Sequence, residues 1–323
     1  MKVKNKNLLK PFLTKTTILR FLVAALSLVG LVIVTMMILE LKAEADDIAN
    51  VYPPGQLINL DGGRKMHLHC TGSGSPTVLL EAGMGGSSLD WKSIQQEVST
   101  NTKVCSYDRL GYAWSDEANS TRSIDNEEKE LYELLQKARI DPPYVIAGHS
   151  LGGYIARLFA ARHDDQVDGL VLVDPPYEAD RENDANPPAY TDPLVNINLY
   201  ITIIKSNLGL VRSDYLSNYS DSDFRTEEQV AFLSSSKNFR TMQSEYSELS
   251  NSSLYIQNNA KSVGSIPTTY IVTSHRIAQS REFCAISKIC TVQSSGDNDH
   301  LIPQNNPNIV ILAIDDLLLE SSQ

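Results

Sequence analysis

From residue 56 onward the chain alternates short apolar runs first with turn residues and then with helical patterns. Residues 56–60 and 65–70 read as two strands joined by the turn signal Asp61-Gly62-Gly63. Thr77–Glu81 and Val104–Tyr107 are short buried strands, the second reached through a segment around Trp91 to Val98. Over residues 127–139 the apolar positions Leu131, Leu134, Leu135 and Ala138 share one helical face, with Asp125 and Glu128 as a capping-box-like start. Residues 144–147, 169–174 and 268–273 are further apolar, β-branched strands. Unbroken strands of this kind separated by helices predict a mostly parallel sheet covered on both faces.

The alternation breaks between Tyr177 and Ile266. After Pro187-Pro188 come three helical patterns, at 194–208, 227–242 and 245–260, the middle one introduced by the capping box Thr226-x-x-Gln229. A plain crossover between parallel strands needs only about a dozen residues. The extra helices therefore predict a cap inserted at about 178–264. Pro307 sits in the first turn of a last helix, 308–320, whose Ile309, Leu312, Ala313 and Leu317 are expected to pack on the sheet.

The N-terminus follows a different pattern. No charge occurs from Phe21 to Leu39, and the apolar run reaches back to Ile18. As a helix this segment is about 33 Å long, enough to cross a hydrocarbon core of about 30 Å. It divides the chain into a basic tail (1–17), a transmembrane anchor (18–39), a polar linker (40–50) and a folded domain (51–323) that opens at Pro53-Pro54-Gly55. Residues 1–40 hold six Lys/Arg against one acid, Glu40, a balance of +5; the remaining 22 basic and 38 acidic residues give −16, and the chain's net charge is −11. Basic residues before the span and acids after it place the tail in the cytoplasm and the domain outside the cell membrane. A cleaved signal peptide ending at Ala43-Glu44-Ala45 is the competing reading, but its apolar region would be only about 7–15 residues. The acidic body argues against a nucleic-acid partner, because phosphates would be repelled.

Hydrophobic residues make up 42% of the chain and charged ones 21%, the composition of an ordinary globular enzyme. Its four cysteines are an even number in an exported domain, which favours disulfides. Cys284 and Cys290 are close enough to close a small ring in a polar loop. A Cys70–Cys105 bridge requires their two strands to be neighbours; the alternative is a pair of small buried hydrophobes. No Cys-x-x-Cys spacing points to metal, and His67-x-His69 on one strand face reads as a packed or solvated pair. Neither metal nor cofactor is expected.

The chemistry concentrates at Gly148-His149-Ser150-Leu151-Gly152-Gly153, which follows a strand and opens a helix. That context suits G-x-S-x-G, in which a serine is lifted onto a sharp strand-to-helix turn and glycines relieve the crowding around it. With Leu79–Gly86, Tyr107-Asp108-Arg109-Leu110-Gly111 and Gly296-Asp297-Asn298-Asp299-His300, the chain resembles the α/β-hydrolase superfamily over almost all of 51–323. The resemblance implies an eight-stranded, mostly parallel sheet with helices on both faces and a helical cap after the sixth strand. In that strand order the second and fourth strands are adjacent, so a Cys70–Cys105 bridge is geometrically possible.

The resemblance also implies roles. Ser150 is the nucleophile and His300, in the loop before the last helix, its base. His149 is expected to point the other way on the turn, and His163 and His275 to lie on the surface. The oxyanion hole is expected from the backbone N–H groups of Leu151 and Met84; Ala82-Gly83 replaces the usual His-Gly there, which leaves the loop's hydrogen-bond support open. The usual acid after the seventh strand is missing, since residues 270–276 contain none. Asp174, at the end of the preceding strand, is the first candidate, then Glu282, then Asp297 or Asp299 or no carboxylate partner at all. Asp108 and Arg109 are expected to brace the loop. A serine rather than a carboxylate nucleophile argues against the dehalogenase and epoxide-hydrolase branches. The expected activity is that of a serine esterase or lipase on a small-molecule ester or amide. A proline-iminopeptidase-like peptidase or acyltransferase, or a non-catalytic ligand-binding protein of the same fold, are the alternatives.

Overall fold

The computed structural model describes residues 14–176, 193–217 and 227–321. In chain order its elements begin with helix α1 (Lys15–Asn50), β1 (Gln56–Asn59), β2 (Lys65–Thr71), β3 (Thr77–Glu81), α2 (Lys92–Val98) and β4 (Val104–Tyr107). Then come α3 (Ile124–Ala138), β5 (Tyr144–His149), α4 (Leu151–Arg162) and β6 (Val167–Val173). Among the described residues four helices precede the next strand: α5 (Pro193–Asn207), α6 (Leu210–Ser217), α7 (Glu227–Leu233) and α8 (Ser236–Asn259). The chain closes with β7 (Thr268–Val272), α9 (Ser280–Phe283), β8 (Cys290–Ser294), α10 (Ile302–Asn305) and α11 (Pro307–Glu320).

The eight strands form one sheet in the order β1-β2-β4-β3-β5-β6-β7-β8. The pairs β1–β2 and β2–β4 are antiparallel and the remainder parallel. Strand side chains alternate between the two faces, and the apolar runs split accordingly. Leu79, Ile146, Leu170 and Leu172 pack with Leu131 and Leu134 of α3 and Tyr154 and Phe159 of α4. Val78, Leu80, Val145 and Val171 pack on the other side with Trp91 and Ile94 near α2 and with Val310, Ile314 and Leu317 of α11. Both faces of the central strands are thus covered, which is why these strands are apolar throughout.

Cys70 and Cys105 face each other in the β2–β4 register and form a disulfide; a second joins Cys284 to Cys290. Cys290 is not in a loop, as its polar surroundings suggest, but opens the edge strand β8. An edge strand tolerates such polarity because one side of it stays open to water.

Several local expectations are corrected. Residues 40–50, read as a polar linker, are helical and continue α1 to Asn50, since this run holds good helix formers and no Gly or Pro before Pro53. Helix α3 is capped by Ser123, whose hydroxyl accepts from Asn126 N–H, and not by an Asp125/Glu128 box; those two carboxylates instead bind Arg162 of α4. The cap helices divide at Ser234-Ser235, where Ser235 caps α8, and not near residue 243. Helix α6 has no counterpart in the sequence reading. The Thr226 capping box lies outside the described residues. Leu312 is exposed, and Val310 and Ile314 take the sheet-facing positions. His163 is half-buried, stacked on Tyr132 and bonded to Glu128, while His275 is exposed.

Among the described residues one helix, Lys15–Asp47, is long and apolar enough to cross a membrane. Its apolar side chains are exposed on all sides. The uncharged stretch, exposed all round, makes this helix a candidate membrane span. Its C-terminal end meets the cap, packing against α5 and α7.

Candidate active site

The carboxyl ends of β3, β5 and β6 and the loops after β7 and β8 converge at one edge of the sheet, where open α/β sheets bind ligands. Ser150 follows β5 directly, with φ +49° and ψ −124°. Few non-glycine residues adopt such angles, and the turn holds them by a bond from Ser150 N–H to Val173 O at 2.9 Å. The flanking glycines are sterically required. A Cβ on residue 148 would lie 2.5 Å from Gly152 O, and one on residue 152 would lie 2.6 Å from both Ala82 O and Glu81 O.

His300, in the loop before α10, directs Nε2 at Ser150 Oγ, 3.0 Å away. Its Nδ1 is 2.6 Å from Asp174 Oδ2. An ionised carboxylate can only accept, so Nδ1 carries the proton and Nε2 is left with a lone pair facing the hydroxyl. Asp174 is the first residue after β6, at φ +40°. Burial alone would raise its pKa, but the hydrogen bond from His300 and the charge of Arg276 outweigh that and hold it at about 2.

The structure therefore brings together Ser150, His300 and Asp174. Glu282 is exposed on α9 and makes no bond to the His300 ring. Asp297 and Asp299 shape the histidine loop instead: Asp297 O accepts from Ser274 N–H, and Asp299 Oδ1 accepts from Leu301 N–H.

Two supporting residues were missed in the sequence. Arg276 Nη1 donates to Asp174 Oδ1 at 2.8 Å; it lies after β7, where an acid is the usual occupant. The absence of a carboxylate from residues 270–276, with a cation in its place, was the available signal. His149 does not point away from the site. Its Nε2–H donates to His300 O at 2.8 Å, and the two rings lie 4.8 Å apart. Burial first, and the neighbouring His300 second, bring its pKa down to about 4. The unfolded chain, with an ordinary histidine pKa near 6.5, then takes up this proton first as pH falls. Stability is full above pH 6.5 and is lost progressively down to pH 4, by about 3 kcal/mol in all. His149→Gln retains a donor for His300 O without that titration, so urea unfolding across pH 4–7.5 should show a flatter slope than for the parent. An unchanged slope would assign the acid sensitivity elsewhere.

The backbone N–H groups of Leu151 and Met84 donate no hydrogen bond in the turns and loops of the described residues; Leu151 follows Ser150 directly, and Met84 follows Gly83. The close approach of the two segments is direct: a Cβ on Gly83 would sit 3.2 Å from Ser150 Cβ. The support left open by Ala82-Gly83 comes from Arg109. Its Nη1 donates to Ala82 O and to Glu81 Oε1, both at 2.6 Å, and its Nη2 donates to Gly83 O at 2.9 Å. Arg109 also pairs with Glu245 of α8 at 3.0 Å. Tyr112 donates to the other oxygen of Glu245 and accepts from Gly85 N–H. Burial pushes Glu81 up to about 7 and Glu127 well above the carboxylate range, which limits the negative charge gathered around Arg109 and Arg122. The cap helix and the loop beside the nucleophile are thus tied through one guanidinium.

Asp108 is likewise structural, bonded to His67 Nδ1 at 2.8 Å and to Ser88 N–H. No group of three or more potential metal ligands occurs among the described residues. A cavity of about 380 Å³, lined in part by Tyr52, His69, Leu89, Lys92 and Trp114, contains none of Ser150, His300 or Asp174.

With an eight-stranded sheet of this order and a serine on the turn after its fifth strand, the chain belongs to the alpha/beta hydrolase fold family, whose model matches residues 76–306. The protein YqjL of Bacillus subtilis is 36% identical over 107 residues, 33% of this chain and 42% of that one. A vacuolar membrane protein of Saccharomyces cerevisiae is 34% identical over 103 residues, 31% of this chain and 16% of that one. The chain thus spans less than half the length of these relatives. Among solved structures, the epoxide hydrolase CorEH superposes with a TM-score of 0.68 at 19% identity, covering 82% of this chain and 97% of its own. The Cif epoxide hydrolase of Acinetobacter nosocomialis gives 0.65 at 17% identity, covering 87% and 96%. At these identities the likeness is one of fold.

Proposed function

We propose that the protein is a membrane-anchored serine hydrolase that cleaves a carboxylic ester outside the cytoplasm. The observation that carries this reading is the continuous hydrogen-bonded series Asp174–His300–Ser150. His300 Nε2 takes the serine proton as Oγ bonds to the carbonyl carbon, and the developing oxyanion is met by the N–H groups of Met84 and Leu151. Collapse breaks the bond to the alcohol, which leaves with the proton from His300. Water, deprotonated by the same nitrogen, then releases the acid and restores Ser150. A serine in place of a carboxylate nucleophile argues against the epoxide-hydrolase branch despite the shared fold. The apolar helix of α1 and the basic residues before it support the anchor and its orientation.

A membrane-impermeant fluorophosphonate probe tests activated serine and topology together. Added to intact cells, it should label the full-length chain. Labelling only after lysis would put the domain on the cytoplasmic side. An absence of labelling in both would favour a ligand-binding protein that has kept the fold without the chemistry.

A further inference from the structure

Helix α5 carries a surface that catalysis at Ser150 does not use. Its fifteen residues hold a single charge, Lys205. Ile197, Tyr200, Ile201 and Ile204 fall at i, i+3, i+4 and i+7, on one face, and are 44–61% exposed. Leu210 and Leu216 of α6 are exposed as well. A contiguous apolar patch on a cap, on the face opposite its own packing against α8, marks a surface that meets something other than water.

Its attachment identifies what that is. Helices α5 and α7 pack against α1, the apolar helix. Where the uncharged run of α1 ends, Glu40 accepts from Arg212 Nε of α6 at 3.0 Å, and Arg212 Nη1 reaches Asp47 at 2.7 Å. The corner between α5 and α6, bent by 87°, is seated on the same carboxylate: a Cβ on Gly209 would lie 2.8 Å from Glu40 Oε2. The cap is therefore clamped to α1 at the level where the helix leaves the hydrocarbon. A largely apolar helix held there presents isoleucines and a tyrosine outward, side chains that suit the boundary between headgroups and acyl chains. On its other side α5 rests on α8, which touches the nucleophile's neighbouring loop through Met242 at Gly85 and Glu245 at Arg109.

We propose that the exposed face of α5 is embedded in the lipid interface beside α1, and that the cap draws the substrate of Ser150 from the bilayer as a long-chain acyl ester. The substrate half rests on the hydrolase reading above; the docking half does not.

All four cysteines are paired, so one introduced cysteine gives a unique label on the full chain in phosphatidylcholine–phosphatidylglycerol vesicles. A bimane on Ile201→Cys should be quenched by lipids brominated high on the acyl chain to the same degree as one on Leu39→Cys. A bimane on Ser247→Cys, on the exposed side of α8, should not. An unquenched label at 201 overturns the docking, and cross-linking between two copies through that cysteine would assign the patch to self-association instead. In the same vesicles, changing Ile197, Ile201 and Ile204 together to Asn should lower turnover of a bilayer-resident long-chain ester at least 10-fold. Turnover of a short water-soluble ester and fluorophosphonate labelling of Ser150 should be unchanged. Equal loss on both esters, or on neither, overturns the substrate assignment. If the unmodified chain hydrolyses neither and takes no label, the hydrolase reading fails while the quenching result stands on its own.

Discussion

Ser150→Ala should abolish ester turnover, lowering kcat by about 10⁶-fold, while the chain folds and melts as before. The change removes one oxygen and nothing that holds the turn together. The backbone bond from residue 150 to Val173 O stays, and alanine fits wherever serine does at φ +49°. His300 keeps its bond to Asp174. What is lost is the atom that forms the acyl bond, and no other hydroxyl among the described residues bonds His300 Nε2. Residual rate above water should reflect only the N–H groups of Leu151 and Met84 acting on a bound ester. The measurement is kcat on an activated ester beside a thermal melt. Substantial turnover in an undamaged fold would move the nucleophile's role to another residue.

How far the fold could be read in advance follows from burial. Every central strand is covered on both faces, so its apolar run stands out whatever the connections do; β3, β5, β6 and β7 are legible to within a residue or two. Elements at the edge or in the cap carry weaker signals. The strand β8 reads as a polar loop because water meets one side of it, and the division between α7 and α8 depends on one serine cap. The run after Leu39 looks like a linker by its charges, yet those charges grip Arg212 within a continuing helix. Composition cannot distinguish solvated acids from paired ones.

The site divides in the same manner. Ser150 and His300 are fixed by local signals, a strand–turn–helix motif and a Gly/Asp loop. A bracing role was expected of Arg109, but its partners, like the contributions of His149 and Arg276, arise only from the tertiary arrangement. His149 was expected to point the other way on the turn, but its position at the strand's end, with the chain turning sharply after it, lets its ring pack beside His300. Arg109 reaches 136 residues along the chain to Glu245, a separation no local pattern encodes.

Asp174→Asn should cut kcat by up to about 10⁴-fold with little change in KM. The amide is nearly the same shape, so substrate still binds, but its NH₂ can donate to Nδ1 and so favour the tautomer with a proton on Nε2, aimed at Ser150. The imidazolium formed during attack also loses its counter-charge. A second signature separates this role from a merely structural one. With a pKa of about 2 when folded and near 3.8 when unfolded, the carboxylate stabilises the fold above about pH 4, by about 2 kcal/mol, and the contribution disappears as pH falls toward 2. The variant should therefore be less stable than the parent at neutral pH and converge with it in acid, while its kcat defect persists across the whole range over which the parent is active. Glu282→Gln, on an exposed turn of α9, should alter neither. The two variants measured side by side decide the assignment: a crippled Glu282→Gln beside an active Asp174→Asn would return the acid to the loop after β7, and Arg276 would then be the residue whose placement needs another explanation.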